Sequence, residues 1–118
     1  MKLSQIAEIL NAQVLCLEEN LDIEIPAAVA SDMMSDVLVC NDSDRILISG
    51  LCTVHTVLTA QILDLRAIIF VRGKTPTDEI IESAQLNDIV LMRTEKSMFD
   101  VCGMLYAHGI DGRRNLNG

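Results

Sequence analysis

Four of the nine lysines and arginines in this chain, Arg72, Lys74, Arg93 and Lys96, fall in two short segments, each placed directly after an apolar run. Guanidinium and ammonium groups in such loops can hold a phosphate, a carboxylate or a nucleotide, most of all where free helix N–H groups point the same way. Thr53, His55 and Thr94 add hydroxyl and imidazole groups in equivalent positions, and Ser49, Gly50 and Gly73 offer backbone close to them. Ser49, Gly50, Thr53, His55, Arg72, Gly73, Lys74, Arg93 and Thr94 are therefore the candidate ligand-binding residues. The plain alternative is that these charges are solvated loop residues flanking surface helices.

Other patterns in the same segments carry less. Gly73-Lys74-Thr75 has the last three letters of a phosphate-binding P-loop, but that motif needs a glycine five residues earlier, where Ile68 stands. No kinase or NTPase chemistry follows. Cys52 precedes a helix start and could be a nucleophile with His55 as its base, yet a cysteine-phosphatase loop needs an arginine at the position of Leu58. An incidental thiol is the simpler account, and an enzyme using Cys52 and His55 is the least favoured reading. Asp32 and Asp36 are four apart and suggest paired carboxylates, but without a third acid or histidine they read as capping or solvated residues. His108 fits the end of a helix, where its partial charge suits the dipole. Nothing in these patterns calls for a metal or a cofactor.

The elements that must position these groups are written in the apolar pattern. Ile46–Ser49, Ala67–Val71 and Ile89–Met92 read as strands, each followed by a loop and a helix. Thr53 caps the first of these helices. Thr75, Pro76 and Asp78 supply cap, first-turn proline and acid for the second, and Ser97 with Asp100 a similar box for the third, which stops at Gly109. Upstream, Ser4 begins a helix to Leu10, Gln13–Leu17 is a short strand, and Ile23–Ala30 is an extended segment whose Pro26 suits a sheet edge. Ser31 and Asp32 cap a short helix through Leu38, broken at 41–44. The fold class is α/β, a layered sandwich with a mostly parallel sheet built from strand–loop–helix repeats. It forms one domain over 1–109 with a tail at 110–118. The carboxyl edge of the sheet then carries 50–55, 72–75 and 93–97, where such folds bind ligands.

Composition narrows the function classes. The chain has 118 residues, room for one core, and half of them are hydrophobic. Its net charge is −8 and its aromatic content 3%. It therefore repels phosphate backbones and anionic lipid and lacks stacking platforms, so nucleic acid and membrane are not expected partners. Cys16, Cys40, Cys52 and Cys102 show neither zinc spacing nor a disulfide framework and read as reduced, mostly buried thiols. The polar start of the chain lacks a signal-peptide run, which points to the cytoplasm. Met33, Met34, Met98 and Met104 read as core filler that could also serve an interface, and a homodimer is expected, with the edge strand near Pro26 and an apolar helix face as the surfaces able to support it.

Four segments, Ser31-Asp-Met-Met-Ser-Asp-Val-Leu38, Ile46-Leu-Ile-Ser-Gly-Leu51, Ala67-Ile-Ile-Phe-Val-Arg-Gly-Lys74 and Phe99-Asp-Val-Cys-Gly-Met-Leu-Tyr106, resemble DRTGG-domain proteins over nearly the whole chain. The chain is most similar to the short stand-alone members. The same domain occurs fused to CBS domains, in phosphate acetyltransferases, and in a form similar to the amino-terminal domain of bacterial HPr kinase/phosphorylase. The resemblance implies a compact α/β fold, a tendency to form dimers and a regulatory role with no settled ligand or reaction, and it points to a partner in anaerobic redox metabolism. Where many members have Gly-Asp-Arg after the strand, this chain has Leu51-Cys52-Thr53, so a ligand role for that acidic–basic pair does not carry over.

Overall fold

The structure, a computed structural model, describes residues 1–39 and 43–112; Cys40, the break at 41–42 and the end of the expected tail, 113–118, lie outside them. The elements in order are α1 (Leu3–Leu10), β1 (Gln13–Val14), β2 (Ala27–Ala30), α2 (Met34–Val37), β3 (Arg45–Ser49), α3 (Val54–Ile62), β4 (Ala67–Phe70), α4 (Asp78–Leu86), β5 (Val90–Arg93) and α5 (Met98–Ala107). The sheet runs β1-β5-β4-β3-β2. All pairs are parallel except β1 with β5. The expected mostly parallel α/β sandwich is what forms.

From β2 to β5 the chain steps across the sheet in one direction. Crossovers that never reverse place their helices on one face. Accordingly α2, α3 and α4 bury Met34, Val37, Val57, Ala60, Ile80 and Ala84 against Leu47, Ile68, Phe70 and Leu91. The opposite face is left to the first and last helices, where Leu3, Ile6 and Leu10 of α1 and Val101 and Leu105 of α5 cover Ile46, Ile48, Ile69 and Met92. Successive strand residues thus feed opposite cores, which is why β3 and β4 are apolar without alternation.

Local chemistry sets the boundaries. Thr53 and Ser97 cap α3 and α5 as expected, accepting the N–H groups of Thr56 and Asp100. α4 is capped by Thr77, which accepts from Ile80 N–H, rather than by Thr75. α1 starts behind Lys2, with Ser4 already inside the helix. Neither Ser31 nor Asp32 caps α2, whose cap position is Met33. β1 is shorter than expected because Leu17 adopts φ +58° and the chain turns into a 3-10 turn at 18–20. Met34 is buried, but Met33 is exposed and so is not core filler. The chain expected to become a tail at 110 instead stays packed to Gly112. Ile110 is buried, Ala28 N–H donates to the Asp111 carbonyl at 2.9 Å, and Arg45 Nη1 donates to the Gly112 carbonyl at 2.8 Å.

Candidate functional site

The carboxyl edge of the parallel strands is formed by four loops. Because the strand order never reverses between β2 and β5, no topological switch point opens a crevice there. The loops are instead tied to one another.

The turn after β4 is the centre of this arrangement. Arg72 and Gly73 have φ +58° and +70°, and Lys74 N–H closes on the Val71 carbonyl at 3.3 Å. Two successive left-handed residues closed in this way have the character of a type I′ turn, which prefers Asn or Asp followed by Gly. Arginine at the first of these positions is strained by about 1–2 kcal/mol. The strain aims its side chain back over β3, where Gly50 leaves room. A Cβ on Gly50 would meet the Arg72 guanidinium, its Cζ at 2.6 Å.

Asp32 completes the group. Its carboxylate accepts from Gly50 N–H at 2.6 Å, from the Ser49 hydroxyl at 3.4 Å and from Arg72 Nη2 at 3.3 Å. The expectation that Asp32 only caps or faces water is corrected. It lies before α2 and joins the loops after β2, β3 and β4. A carboxylate on a backbone N–H, a hydroxyl and a guanidinium occupies a seat built for an anion, open to solvent with Arg72 and Asp32 side chains 45% and 47% exposed.

Arg93 does not converge on this seat. Arg93 donates from Nη2 to Glu95 at 2.7 Å and to the Gly73 carbonyl at 3.0 Å, and from Nε to the Lys74 carbonyl at 3.3 Å. It clamps the turn from beneath. Thr94 is buried and donates to the Leu10 carbonyl at 3.1 Å, fastening the loop to α1. Arg72 N–H and Gly73 N–H bond the Lys96 and Thr94 carbonyls at 2.8 and 2.9 Å. Thr53 is occupied as a helix cap, and His55 is exposed in the first turn of α3. The candidates brought together are therefore Ser49, Gly50 and Arg72, with Lys74 close by. Asp32 was missed although one signal was available, since a strand at 23–30 would have made 31–32 a fourth loop of the same edge.

Two ionisation effects bear on chemistry here. Burial pushes the Cys52 thiol up, only partly opposed by the Lys74 ammonium, the reverse of what an activated nucleophile needs. The Gly50 N–H holds the Asp32 carboxyl below its ordinary range; slight burial opposes this, and Arg72 and Ser49 add to it. A depressed carboxylate contributes stability above its unfolded value of about 3.9, and that contribution is lost as pH falls through the folded value. An NMR pH titration of the Asp32 side chain is expected to give a midpoint below 3.9 and a higher one in Arg72→Ala. An equal midpoint in both proteins would contradict the ion pair.

The fold and the seat together define a non-reversing α/β domain whose loop edge holds a carboxylate on a backbone N–H and a guanidinium. No family model matches the chain, and no curated protein matches it. Among solved structures it is similar to the CBS and DRTGG domains of the regulatory region of Clostridium perfringens pyrophosphatase, a structure complexed with its activator diadenosine tetraphosphate. The TM-score is 0.74 and the identity 24%, over 88% of this chain and 45% of that one. The chain thus spans less than half of that regulatory region and has a DRTGG-like fold. No described helix is long and apolar enough to cross a membrane.

Proposed function

We propose that this protein is a non-catalytic regulatory module of the cytoplasm that senses a small anionic ligand, of the phosphate or nucleotide class, through Ser49, Gly50 and Arg72. The observation that carries this reading is the Asp32 carboxylate seated on Gly50 N–H and Arg72. A phosphate oxygen accepts the same hydrogen bonds with more charge and would replace it, releasing the loop before α2. The similar regulatory region, complexed with a dinucleoside polyphosphate, supports the ligand class. Thermal unfolding against phosphate, pyrophosphate, ATP and diadenosine tetraphosphate tests it. A ligand at a hundredfold excess over its Kd adds about 2.7 kcal/mol to the native state. The resulting shift in midpoint is expected to vanish in Arg72→Ala and to grow in Asp32→Asn. No shift with any compound, or an undiminished shift in Arg72→Ala, defeats the reading.

A second reading, self-association, is favoured by one observation on α5. Phe99 and Tyr106, two of the three aromatic residues in the chain, are 86% and 73% exposed on one stripe with Cys102 and Gly103 between them. Beside them lies an apolar cavity of about 200 Å³ lined by Ala28, Ala30, Ile48, Cys102 and Leu105 among others. That stripe carries no charge, so two copies at −8 each meet there with least repulsion. Sedimentation is expected to give a dimer that Phe99→Asp converts to monomer. A monomeric parent protein removes this reading and leaves the stripe for a different protein partner.

A further inference from the structure

We propose that the outer face of α3 and α4 is a docking surface for a basic amphipathic helix of a partner protein. The inward faces of these two helices are fully used, with Val57, Ala60, Ile80 and Ala84 packed on the sheet. Three large apolar side chains are left over on the outside: Leu58 and Ile62 of α3, the latter 69% exposed, and Leu86 of α4, 82% exposed. Val54, Leu58 and Ile62 are spaced by four, so they share one helical stripe. Next to that stripe runs a groove of about 420 Å³, lined by Val54, Glu79, Glu82, Ser83, Leu86 and Asn87.

Charge says what fits. Neither α3 nor α4 contains a lysine or arginine. Glu79 and Glu82 flank the groove without an ion-pair partner among the described residues. Glu79, Glu82 and Leu86 lie at successive turns of α4, so acid and apolar positions follow one line. A helix of roughly three turns, with leucine-like side chains on one stripe and lysine or arginine beside it, matches both features. A second copy of this chain brings no basic helix to meet these acids, since α1 to α5 contain no lysine or arginine. Nucleic acid and anionic lipid are repelled by the two glutamates.

Fluorescence anisotropy on the full chain provides the test. The probes are a labelled helical Leu/Lys peptide with an apolar stripe, a Leu/Glu peptide of the same pattern, and a Lys/Ser peptide of equal positive charge. The Leu/Lys peptide alone is expected to bind. Glu79→Lys with Glu82→Lys, and separately Leu86→Ser, are expected to weaken it by about tenfold each. These side chains are exposed, so unchanged unfolding midpoints confirm that the variants fold. The proposal is overturned if the Lys/Ser peptide binds equally well, if both variants bind like the parent protein, or if the Leu/Lys peptide does not bind.

Discussion

Replacing Phe70 with alanine is expected to lower the free energy of unfolding by about 3 to 5 kcal/mol, a large part of the 5 to 15 kcal/mol typical of a domain. Phe70 is the largest fully buried side chain among the described residues. It ends the central strand β4, flanked by β3 and β5, and points into the core beneath α3 and α4. Removing its ring leaves a cavity between rigid elements that cannot close over it. Phe99→Ala deletes the same atoms from an exposed site and is expected to change stability by no more than about 0.5 kcal/mol. Urea titrations followed by circular dichroism separate the two. A loss below about 1 kcal/mol for Phe70→Ala would place β4 elsewhere than the middle of the sheet.

The contrast between these two phenylalanines also marks what the chain discloses before it folds. Phe70 stands in Ala67-Ile-Ile-Phe70, a continuous apolar run whose only economical place is a strand buried on both faces. The three such runs, and the caps Thr53 and Ser97, are therefore readable from residue type and spacing. Thr77 was hidden because Thr75 precedes it with a proline in between, and either hydroxyl could cap a helix. The choice follows from tertiary packing, since a cap at Thr77 sets the helix so that Ile80 and Ala84 face the sheet. The shortening of β1 has a similar origin, because no local signal marks a leucine such as Leu17 for a left-handed conformation.

The candidate site divides along the same line. The gathering of basic residues at one edge is a property of the linear pattern once the strands are placed. Their pairing is not. Asp32 reaches Gly50 across 18 residues and Arg72 across 40, distances over which spacing carries no information. Arg93 and Glu95, by contrast, lie two apart at the end of a strand, where alternate side chains share a face. Their ion pair was readable and would have withdrawn Arg93 from the ligand candidates. What remains is a smaller site than four converging cations, consisting of one strained arginine, one glycine beneath it and a carboxylate already in place.

Whether that strain serves a ligand or the fold is answered by exchanging the two residues of the turn. Gly73→Val is expected to destabilise the protein by about 2 to 4 kcal/mol, combining the left-handed penalty for a side chain with overpacking. At φ +70° its Cβ would lie 2.7 Å from Glu95 Oε1, the carboxylate that Arg93 holds. Arg72→Gly acts in the opposite sense. It relieves about 1 to 2 kcal/mol of left-handed strain, against about 0.5 to 1 kcal/mol of added chain entropy and up to about 1 kcal/mol for an exposed ion pair. The net change is expected to lie between about 1 kcal/mol of destabilisation and about 1.5 kcal/mol of stabilisation, while the ligand response in thermal unfolding disappears. Urea titration of both variants gives the comparison. A loss of several kcal/mol in Arg72→Gly would mean that the guanidinium braces the loops, and the seat over Gly50 would then be a structural contact with no ligand to receive.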